Sequence, residues 1–372
     1  MVARSPRDAP RRTHPALVPS PPDDGAHRSL SVSGAAAFEV VARAVHQGQI
    51  VGAAAAIGNV TSAESWVGGT TALGEEGVTI DTSYDLASLT KVLATTTLLL
   101  RAIGEGRIDP REPLATYLPE ASWLQTDSRV ADATILDLAS HSSGLAAWSP
   151  LYTLGLDRPT LLARIAQLPL EGKRGAVVYS DLGFILLGYV LERLRGVPLD
   201  RQFSDLIAEV GIAPGIGFGP CDAPVAPTEE CPWRGRLMRG EVHDENAWAM
   251  GGVSGHAGLF GSLAALISVG RALLDGRLLS EPLLGLAGQA HATGEDGQRR
   301  GFGWALPSSH WSGGDLFSAR AIGHTGFTGT GMWLDLERRL FTILLTNRVY
   351  PTRHRESGIV GLRRRFNSAA LA

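Results

Sequence analysis

The sequence contains a serine and a lysine spaced so that they could act together as a nucleophile and its base. In the segment Ser88–Lys91 (SLTK) the lysine follows the serine by three residues, and on a helix such residues lie on one face. A serine hydroxyl needs a base to take its proton, and a lysine can serve if burial and neighbouring positive charge lower its pKa. A position in the first turn of a helix would add the positive end of the helix dipole. Only Lys91 and Lys173 are lysines. A serine followed three residues later by a lysine would therefore occur by chance in about one of seven sequences of this composition.

A tyrosine further along the chain is a second group that could move a proton. Tyr179 follows a short apolar run and precedes an apolar stretch with helical periodicity. Its phenol could exchange protons with the serine and a leaving group if an adjacent lysine lowered its pKa, which is ordinarily about 10. A structural interpretation is also open, in which Asp181 caps a helix starting at Leu182 and Tyr179 belongs to the core.

A third candidate is the segment His324-Thr325-Gly326, which lies near the carboxyl end. A strand edge here could offer the backbone N–H of Phe327 to a developing oxyanion and His324 as a polar contact. Gly326 would let a ligand approach the backbone closely. Taken alone, the surrounding GHTGFTGTG stretch is more typical of a glycine-rich turn.

Several other polar and aromatic residues allow two interpretations each. Residues 243–246 (HDEN) and His256 could suggest a metal site, but no H-E-x-x-H motif occurs and the spacing fits no common zinc pattern. A hydrogen-bonded wall of a cleft is therefore favoured. His141 is interpreted as part of a helix end that Gly144 closes. Three tryptophans could line an acyl pocket or belong to the core, namely Trp233, Trp248 and Trp304.

Apolar periodicity predicts strands at both ends of the chain and helices between them. This order indicates an α/β (α+β) domain over 35–372, with an antiparallel sheet flanked by helices, built from both termini. We expect the α/β part over about 35–90 and 295–372, and an inserted, mainly helical part over about 91–294. The predicted helices are one that ends near 47 and those over 88–104, 136–140, 161–167, 183–195, 263–274 and 356–371. The predicted strands span 51–57, 65–71, 331–334 and 340–347. A long ordered loop is predicted over 211–239.

The composition excludes several classes of protein. Hydrophobic residues make up 44% and charged residues 19%, which allows a substantial core. The net charge of −3 gives no electrostatic case for nucleic acid, and no apolar run reaches the roughly 18 residues of a membrane span. Residues 1–34 carry six prolines and five arginines and are predicted to be a disordered leader. The leader lacks the apolar region of a signal peptide, which favours a cytoplasmic location.

The three candidate segments occur in an order that resembles the penicillin-recognising serine hydrolases. These are the class C β-lactamases, the D-Ala-D-Ala carboxypeptidases, and the related esterases and aminopeptidases. Their pattern is S-x-x-K, then Y-x-N, then K-T-G or H-x-G, and 88–91, 179–181 and 324–326 stand at the corresponding places. The resemblance covers about residues 35–350. Three further stretches are similar to family motifs: 85–91 (DLASLTK), 134–145 (TILDLASHSSGL) and 255–262 (GHAGLFGS).

The resemblance implies a β-lactamase/transpeptidase-like fold and an activity that needs no metal and no cofactor. Ser88 would attack an acyl carbon and form an acyl-enzyme, with Lys91 taking its proton. Tyr179 would work with Lys91 to protonate the leaving group and to activate the deacylating water. The implied oxyanion and substrate-binding groups are the backbone N–H groups of Ser88 and Phe327 and the cleft residues Asp181, His324, Thr325 and Gly326.

Two departures from the family pattern bear on the substrate. Asp181 stands where the pattern has Asn, and an ionised carboxylate only accepts hydrogen bonds. It would repel anionic substrates and could pair with Lys91. His324 replaces the lysine of K-T-G, and a histidine is mostly neutral at pH 7 unless its pKa is shifted. Both changes favour an esterase or amidase with a small-molecule ester or amide substrate over an enzyme for carboxylate-bearing substrates.

Three alternatives stay open. A D-Ala-D-Ala carboxypeptidase or β-lactamase would use the same residues on a carboxylate-bearing substrate. An acyltransferase would differ only in passing the acyl group to an alcohol instead of water. A non-catalytic relative used for binding would not be expected to keep Ser88, Lys91 and Tyr179 together. The sequence indicates no particular oligomeric state.

Overall fold

The computed structural model describes residues 34–123, 129–221, 224–309 and 311–372. The predicted leader lies outside these ranges, apart from Gly34. No helix in the described ranges is long and apolar enough to cross a membrane. The described helices are α1 (Ala35–His46), α2 (Thr97–Gly104), α3 (Leu114–Tyr117), α4 (Ile135–Ala139), α5 (Arg158–Ile165), α6 (Asp181–Arg195), α7 (Leu199–Val210), α8 (Glu245–Ala249), α9 (Leu263–Leu274), α10 (Glu281–Gly288) and α11 (Ile359–Leu371).

The described strands carry the numbers β1 to β13 in chain order. They are β1 (Gly52–Asn59), β2 (Ala63–Gly69), β3 (Ser83–Asp85), β4 (Ile216–Phe218), β5 (Glu230–Cys231), β6 (Arg236–Leu237), β7 (Leu259–Ser262), β8 (Ala292–Thr293), β9 (Arg299–Arg300), β10 (Ala305–Leu306), β11 (Ala321–Thr325), β12 (Gly331–Asp335) and β13 (Leu340–Thr346).

Eight of the described strands form one antiparallel sheet to which both ends of the described chain contribute. Their order is β2-β1-β13-β12-β11-β10-β9-β8, and Ala53 of β1 pairs with Thr346 of β13. The residues of β13 are all buried, and so is most of β1. Continuous burial means that both faces of these strands are covered, and α1, α9 and α11 pack against them. The predicted α/β (α+β) fold and the terminal hairpin are confirmed.

A second, smaller sheet was not predicted from the sequence. Among the described strands it has the order β3-β7-β4, and Asp85 of β3 pairs with Phe260 of β7. The expectation of a long ordered loop over 211–239 is wrong in part, because the short strands β4, β5 and β6 lie within it. These strands have two or three residues each, too few for an alternating pattern to show. The small sheet places the chain just before Ser88 next to the segment that carries His256.

The predicted helix over 88–104 forms, but its first part is irregular. Lys91–Thr96 is π-helical and continues into α2, which ends at Gly104 as expected. Ser88 lies in the turn before this helix rather than within it. Single π-helical turns are frequent at functional sites, and this one begins at Lys91.

A close contact between α6 and the loop before β7 fixes the wall behind Lys91. A Cβ atom added at Gly188 would lie 2.9 Å from the Cα atom of Gly255 and 3.0 Å from its nitrogen. Thr95 Oγ1 donates a hydrogen bond of 2.7 Å to the Gly255 carbonyl. Glycine is therefore required at position 188, because any side chain would push the loop away.

We expect Gly188→Ala to destabilise the protein by about 1–3 kcal/mol through overpacking, although alanine is the better helix former. The matched control is Gly285→Ala in α10, where an added Cβ atom would have no neighbour within 4 Å. That change should stabilise by up to about 1 kcal/mol. The midpoints of thermal unfolding of the two variants, compared with that of the wild type, test both expectations. A Gly188→Ala midpoint at or above the wild-type value would contradict the close approach of helix and loop.

Candidate active site

Ser88 is held at the entrance of a helix by a buried aspartate. Asp85 Oδ1 accepts the backbone N–H of Ala87 at 2.8 Å, and its Oδ2 accepts that of His243 at 2.6 Å. Burial raises the pKa of Asp85 although both hydrogen bonds oppose the rise. Ala87 has a φ of 45°, a strained conformation for a residue with a side chain, of the kind that persists where the surroundings impose it. The strained turn presents the Ser88 side chain to an open cleft.

Lys91 is fully buried and makes several polar contacts. Its Nζ donates to Ser88 Oγ at 2.9 Å and to the His256 carbonyl at 3.1 Å, and it forms an ion pair of 2.7 Å with Asp181 Oδ1. Burial is the largest influence and lowers the pKa of Lys91, but the interactions with Asp181 and Tyr179 more than offset it, so the pKa is raised. The condition stated from the sequence, a pKa lowered by burial and positive neighbours, is therefore not met in the resting site. The resting side chain is an ammonium, and the expected pairing with Asp181 is confirmed.

A second carboxylate lies close to the same lysine. His256 Nε2 is 2.8 Å from Asp244 Oδ1, and His256 Nδ1 is 2.8 Å from Ser254 Oγ. Burial works to raise the pKa of Asp244, but His256 outweighs it and the pKa is lowered. Ligand atoms of Asp181, Asp244 and His256 lie within 4.8 Å of one another, a spacing that could hold a metal ion. Since the Lys91 ammonium already pairs with this set, the arrangement fits the predicted hydrogen-bonded wall better than a cation site.

Tyr179 lies beside Lys91 and faces the cleft. Its ring centroid is 5.0 Å from Lys91 Nζ and 5.3 Å from the Arg300 guanidinium carbon. The interpretation in which Asp181 caps a helix and Tyr179 is core is wrong. Ser180 caps α6, because its Oγ accepts the backbone N–H of Gly183 at 3.3 Å. This cap frees the Asp181 carboxylate to turn toward Lys91.

His141 is a buried residue of the site whose part sequence analysis missed. Its Nδ1 accepts the backbone N–H of Ser180 at 3.0 Å, and its ring centroid is 4.5 Å from that of Tyr179. Burial, followed by the charges of Arg300 and Lys91, lowers the pKa of His141 well below its ordinary value. A neutral ring that accepts at Nδ1 carries its proton on Nε2. His141 therefore positions Tyr179 and does more than end a helix, and its place in the 134–145 motif was the available sequence signal.

His324 on β11 is neutral, in agreement with the sequence-based expectation. Its Nδ1–H donates to the Thr325 carbonyl at 3.0 Å. Burial is the main cause that lowers the pKa of His324 well below its ordinary value, and Lys91 and Arg300 add to the effect. The side chain is buried and lies next to Tyr179, with ring centroids 5.8 Å apart. A fixed cation is therefore missing at this position of the described site.

The turn after β11 is tied directly to the segment that precedes Ser88. Thr328 Oγ1 donates to the Asp85 carbonyl at 2.7 Å, and Thr330 Oγ1 donates to the Leu86 carbonyl at 3.1 Å. Within the described ranges, no protein acceptor pairs with the backbone N–H of Ser88 or of Phe327. Both N–H groups are thus available to a negatively charged oxygen, as an oxyanion hole requires.

A buried arginine from α11 supports the same turn. The Arg363 guanidinium donates to the carbonyls of Gly326 and Thr330, each at 2.7 Å. Burial, with a smaller contribution from Arg348, lowers the pKa of Arg363 to about 9. Charged hydrogen bonds of this kind are stronger than neutral ones. The last helix of the chain therefore fixes the backbone around Phe327.

A cleft of about 740 Å³ opens in front of Ser88 and Tyr179. His324, Thr325, Gly326 and Phe327 line it, as predicted. Among the described lining residues are four arginines and one acidic residue, namely Arg299, Arg300, Arg348, Arg363 and Glu356. Positions 181 and 324 alone carry the expected discrimination against carboxylate-bearing substrates. The cleft has its cations elsewhere, at these arginines, and they can attract a carboxylate.

The sheet, the inserted helices and the Ser88–Lys91 pair have the arrangement of the β-lactamase-fold serine hydrolases. The chain belongs to the β-lactamase family, whose model, described as Beta-lactamase, matches residues 37–363. It is also 31% identical over 306 residues to a protein of Escherichia coli (strain K12) that carries the provisional name D-alanyl-D-alanine carboxypeptidase, covering 73% of this chain and 70% of that protein. The predicted resemblance is confirmed.

Two solved structures show the same fold at low sequence identity. EstCE1, titled a hydrolase with promiscuous acyltransferase activity, matches with a TM-score of 0.74 at 21% identity, over 92% of this chain and 100% of that one. A penicillin-binding protein homologue from Caulobacter crescentus matches with a TM-score of 0.70 at 19% identity, over 90% and 97% of the two chains. The expected β-lactamase/transpeptidase-like fold is confirmed.

Proposed function

We propose that this protein is a cofactor-free serine hydrolase that forms an acyl-enzyme on Ser88 and acts on small-molecule esters or amides. The observation that carries the proposal is the 2.9 Å hydrogen bond from the buried Lys91 amine to Ser88 Oγ at an open cleft. A nucleophile and a base within hydrogen-bond reach, with the base oriented by a third group, are the general requirement for acyl transfer. Here Asp181 is the orienting group.

Acylation requires Lys91 to be neutral. The free enzyme must release one proton from the ammonium to solvent, and the Asp181 carboxylate opposes this because it favours the charged form. The neutral amine then takes the Ser88 hydroxyl proton while Oγ bonds to the acyl carbon. Negative charge on the acyl oxygen is stabilised by the backbone N–H groups of Ser88 and Phe327.

Tyr179 completes the proton transfers. Its phenol gives a proton to the leaving group as the bond to the acyl carbon breaks, and Lys91 passes the proton that it took from Ser88 to the resulting Tyr179 phenolate. In deacylation the same pair takes a proton from the attacking water, and Ser88 leaves as a hydroxyl. Proton and bond changes therefore balance over one turnover, and His141 keeps the Tyr179 ring in place.

Intact-mass spectrometry tests the proposal directly. We expect the protein mixed with a short-chain p-nitrophenyl ester to gain the mass of the acyl group while p-nitrophenol is released. A penicillin that reacts would add its whole mass, because its ring opens without losing a fragment. A protein that gains no mass with any acyl donor would support the non-catalytic binding relative instead.

A D-Ala-D-Ala carboxypeptidase is the second candidate, and the arginines of the cleft favour it. The similar E. coli protein carries that name provisionally. Arg300 lines the cleft next to Tyr179, on the side where a leaving group would be protonated. A guanidinium group suits a carboxylate because it offers paired donors in one plane. An acyltransferase would need the same residues and an alcohol acceptor.

Substrate pairs that differ only in a carboxylate separate the two candidates. For a carboxypeptidase, we expect a peptide ending in D-Ala-D-Ala to react faster than its carboxamide. Arg300→Gln should then lower this acid-to-amide ratio of kcat/KM by about tenfold to a hundredfold, the value of a charged hydrogen bond. Arg277→Gln, which lies outside the cleft, is the matched control. A ratio of one in the wild type would favour the esterase or amidase.

A further inference from the structure

Three of the four exposed tryptophans in the described ranges belong to one surface cluster. Trp148, Trp233 and Trp248 are 44%, 49% and 39% exposed, and Tyr152 lies among them. We call these four residues the aromatic belt. Single exposed apolar residues are ordinary, whereas a contiguous patch marks a binding surface.

The rings of the aromatic belt contact one another in a row. The ring centroids of Trp148 and Tyr152 are 6.3 Å apart. Those of Tyr152 and Trp233 are 4.7 Å apart, and those of Trp233 and Trp248 are 5.3 Å apart. The last two pairs meet edge to face, which is a favourable arrangement of aromatic rings. The result is one continuous apolar surface.

The buried side-chain amide of Asn246 holds the segment that carries Trp148 and Tyr152 of the aromatic belt. Asn246 Oδ1 accepts the backbone N–H of Tyr152 at 3.0 Å, and its Nδ2 donates to the Ser149 carbonyl at 2.8 Å. Asn246 itself is fully buried in α8. The backbone that carries Trp148 and Tyr152 is therefore fixed to α8 before any ligand arrives.

Arg234 holds the other two residues of the aromatic belt, Trp233 and Trp248. The Arg234 guanidinium carbon is 5.7 Å from the ring centroid of Trp233 and 5.2 Å from that of Trp248. The same guanidinium donates to the carbonyls of Val242 and His243 at 2.8 and 3.1 Å. A preformed surface binds more tightly than one that must be ordered first.

The aromatic belt adjoins the two carboxylates of the site. The backbone N–H of Asp181 donates to the carbonyl of Ala147, the neighbour of Trp148, at 2.9 Å. Asp244 caps α8, and Trp248 follows four residues later on the same face of the helix. Carboxylate oxygens of Asp181 and Asp244 lie within 4.8 Å of each other.

A substrate extends in two directions from the acyl carbon that Ser88 attacks. Under the proposed function Tyr179 protonates the leaving group, so the leaving group lies in the arginine-lined cleft with Tyr179. The acyl group then points the other way, toward Asp181 and the aromatic belt. None of the four belt residues is among the described residues that line the cleft, so the two surfaces are separate.

We propose that the aromatic belt binds the acyl group of the substrate and selects apolar acyl groups, such as medium-length alkyl or arylalkyl chains. The proposal rests on the proposed function. Aromatic rings provide a large apolar area with few rotatable bonds, and the carboxylates of Asp181 and Asp244 disfavour an anionic acyl group at this end. The substrate is therefore an ester or amide of an apolar carboxylic acid.

The test compares p-nitrophenyl acetate with p-nitrophenyl octanoate on the full chain. Each methylene moved from water onto an apolar surface contributes a factor of up to about four to kcat/KM. We expect the wild type to favour octanoate, and Trp233→Ala/Trp248→Ala to lower the octanoate-to-acetate ratio at least about tenfold. Trp148→Ala, from the other segment, should lower it by a smaller factor and covers the case in which the double variant does not fold.

Trp123→Ala is the control, because Trp123 is 70% exposed and lies outside the aromatic belt. It should leave both the ratio and the acetate activity at the wild-type values. A ratio unaffected by the belt variants, with Ser88 still acylated, would overturn the aromatic belt and leave the proposed function intact. Sedimentation velocity tests whether the aromatic belt instead joins copies of the chain. Belt variants that dissociate a dimer and keep the wild-type octanoate-to-acetate ratio would overturn the proposal. Failure of every ester to acylate Ser88 would reject the proposed function itself.

Discussion

Ser88→Ala is expected to abolish the covalent acyl adduct and to lower kcat for ester hydrolysis by about 10⁴-fold or more. The reason is that Ser88 carries the aliphatic hydroxyl that lies at the cleft and contacts Lys91, with Lys91 Nζ 2.9 Å from Ser88 Oγ. Residual turnover would come from the oxyanion groups and binding alone. Intact mass and peptide mapping after reaction with a p-nitrophenyl ester measure the adduct and its position.

Ser254→Ala is the matched control for this experiment. Ser254, His256 and Asp244 are connected by two hydrogen bonds of 2.8 Å, so the three residues could be mistaken for a catalytic triad. Ser254 is buried, however, and its Oγ cannot meet a substrate. The adduct should therefore stay on residue 88 in this variant. Label on Ser254, or an adduct that survives Ser88→Ala, would show that the nucleophile is misassigned.

Asp181→Asn is expected to shift the acid limb of the pH dependence of kcat/KM to lower pH by about one to three units. The shift follows from removing an opposite charge that contacts Lys91 at 2.7 Å. Lys91 must be neutral to act, and its pKa is raised in the wild type, so wild-type activity should still rise with pH above neutrality. Without the Asp181 carboxylate, fewer interactions oppose the effect of burial and the pKa of Lys91 falls, so a larger fraction of the enzyme is active at neutral pH.

The pH profile of kcat/KM on a neutral ester, measured for both proteins, checks this shift. Asp205→Asn, an exposed carboxylate on α7, should leave the profile in place. An unchanged limb in Asp181→Asn would mean that a group other than Lys91 limits the rate. A limb that moves to higher pH would mean that the Asp181 carboxylate itself assists the base.

Much of the fold could be predicted because its longer elements carry regular apolar patterns. The helix over 263–274 was predicted with the bounds that the structure shows, and the terminal hairpin within one or two residues. The small sheet could not be predicted, since Ser83–Asp85 and Ile216–Phe218 are too short to show a period. Their pairing with Leu259–Ser262 depends on contacts distant in sequence, which no local pattern records.

The motifs of the candidate site could be predicted from the sequence, but its electrostatics could not. Ser88, Lys91 and Tyr179 were identified from the sequence, and in the structure Ser88 and Tyr179 line the cleft with the buried Lys91 in contact with both. The sign of the pKa change of Lys91 could not be predicted, because burial and the Asp181 charge oppose each other and only the distance between the groups decides which prevails. Arg300 and Arg363 were missed because the placement of β9 and α11 in the fold, not a motif, brings them to the cleft.

The central position of β13 has a consequence for how the protein is made. β13 lies between β1 and β12, so during synthesis the edge of β1 that pairs with β13 has no partner until β13 has been made. Unpaired strand edges can associate with other chains. The pairing of β1 with β13 is slow because the two strands are far apart in the sequence. Ser88 and Lys91 are translated before Phe327 and the supporting Arg363. A nascent chain therefore carries its nucleophile long before it can stabilise an oxyanion, and activity should begin only after Arg363 has been synthesised.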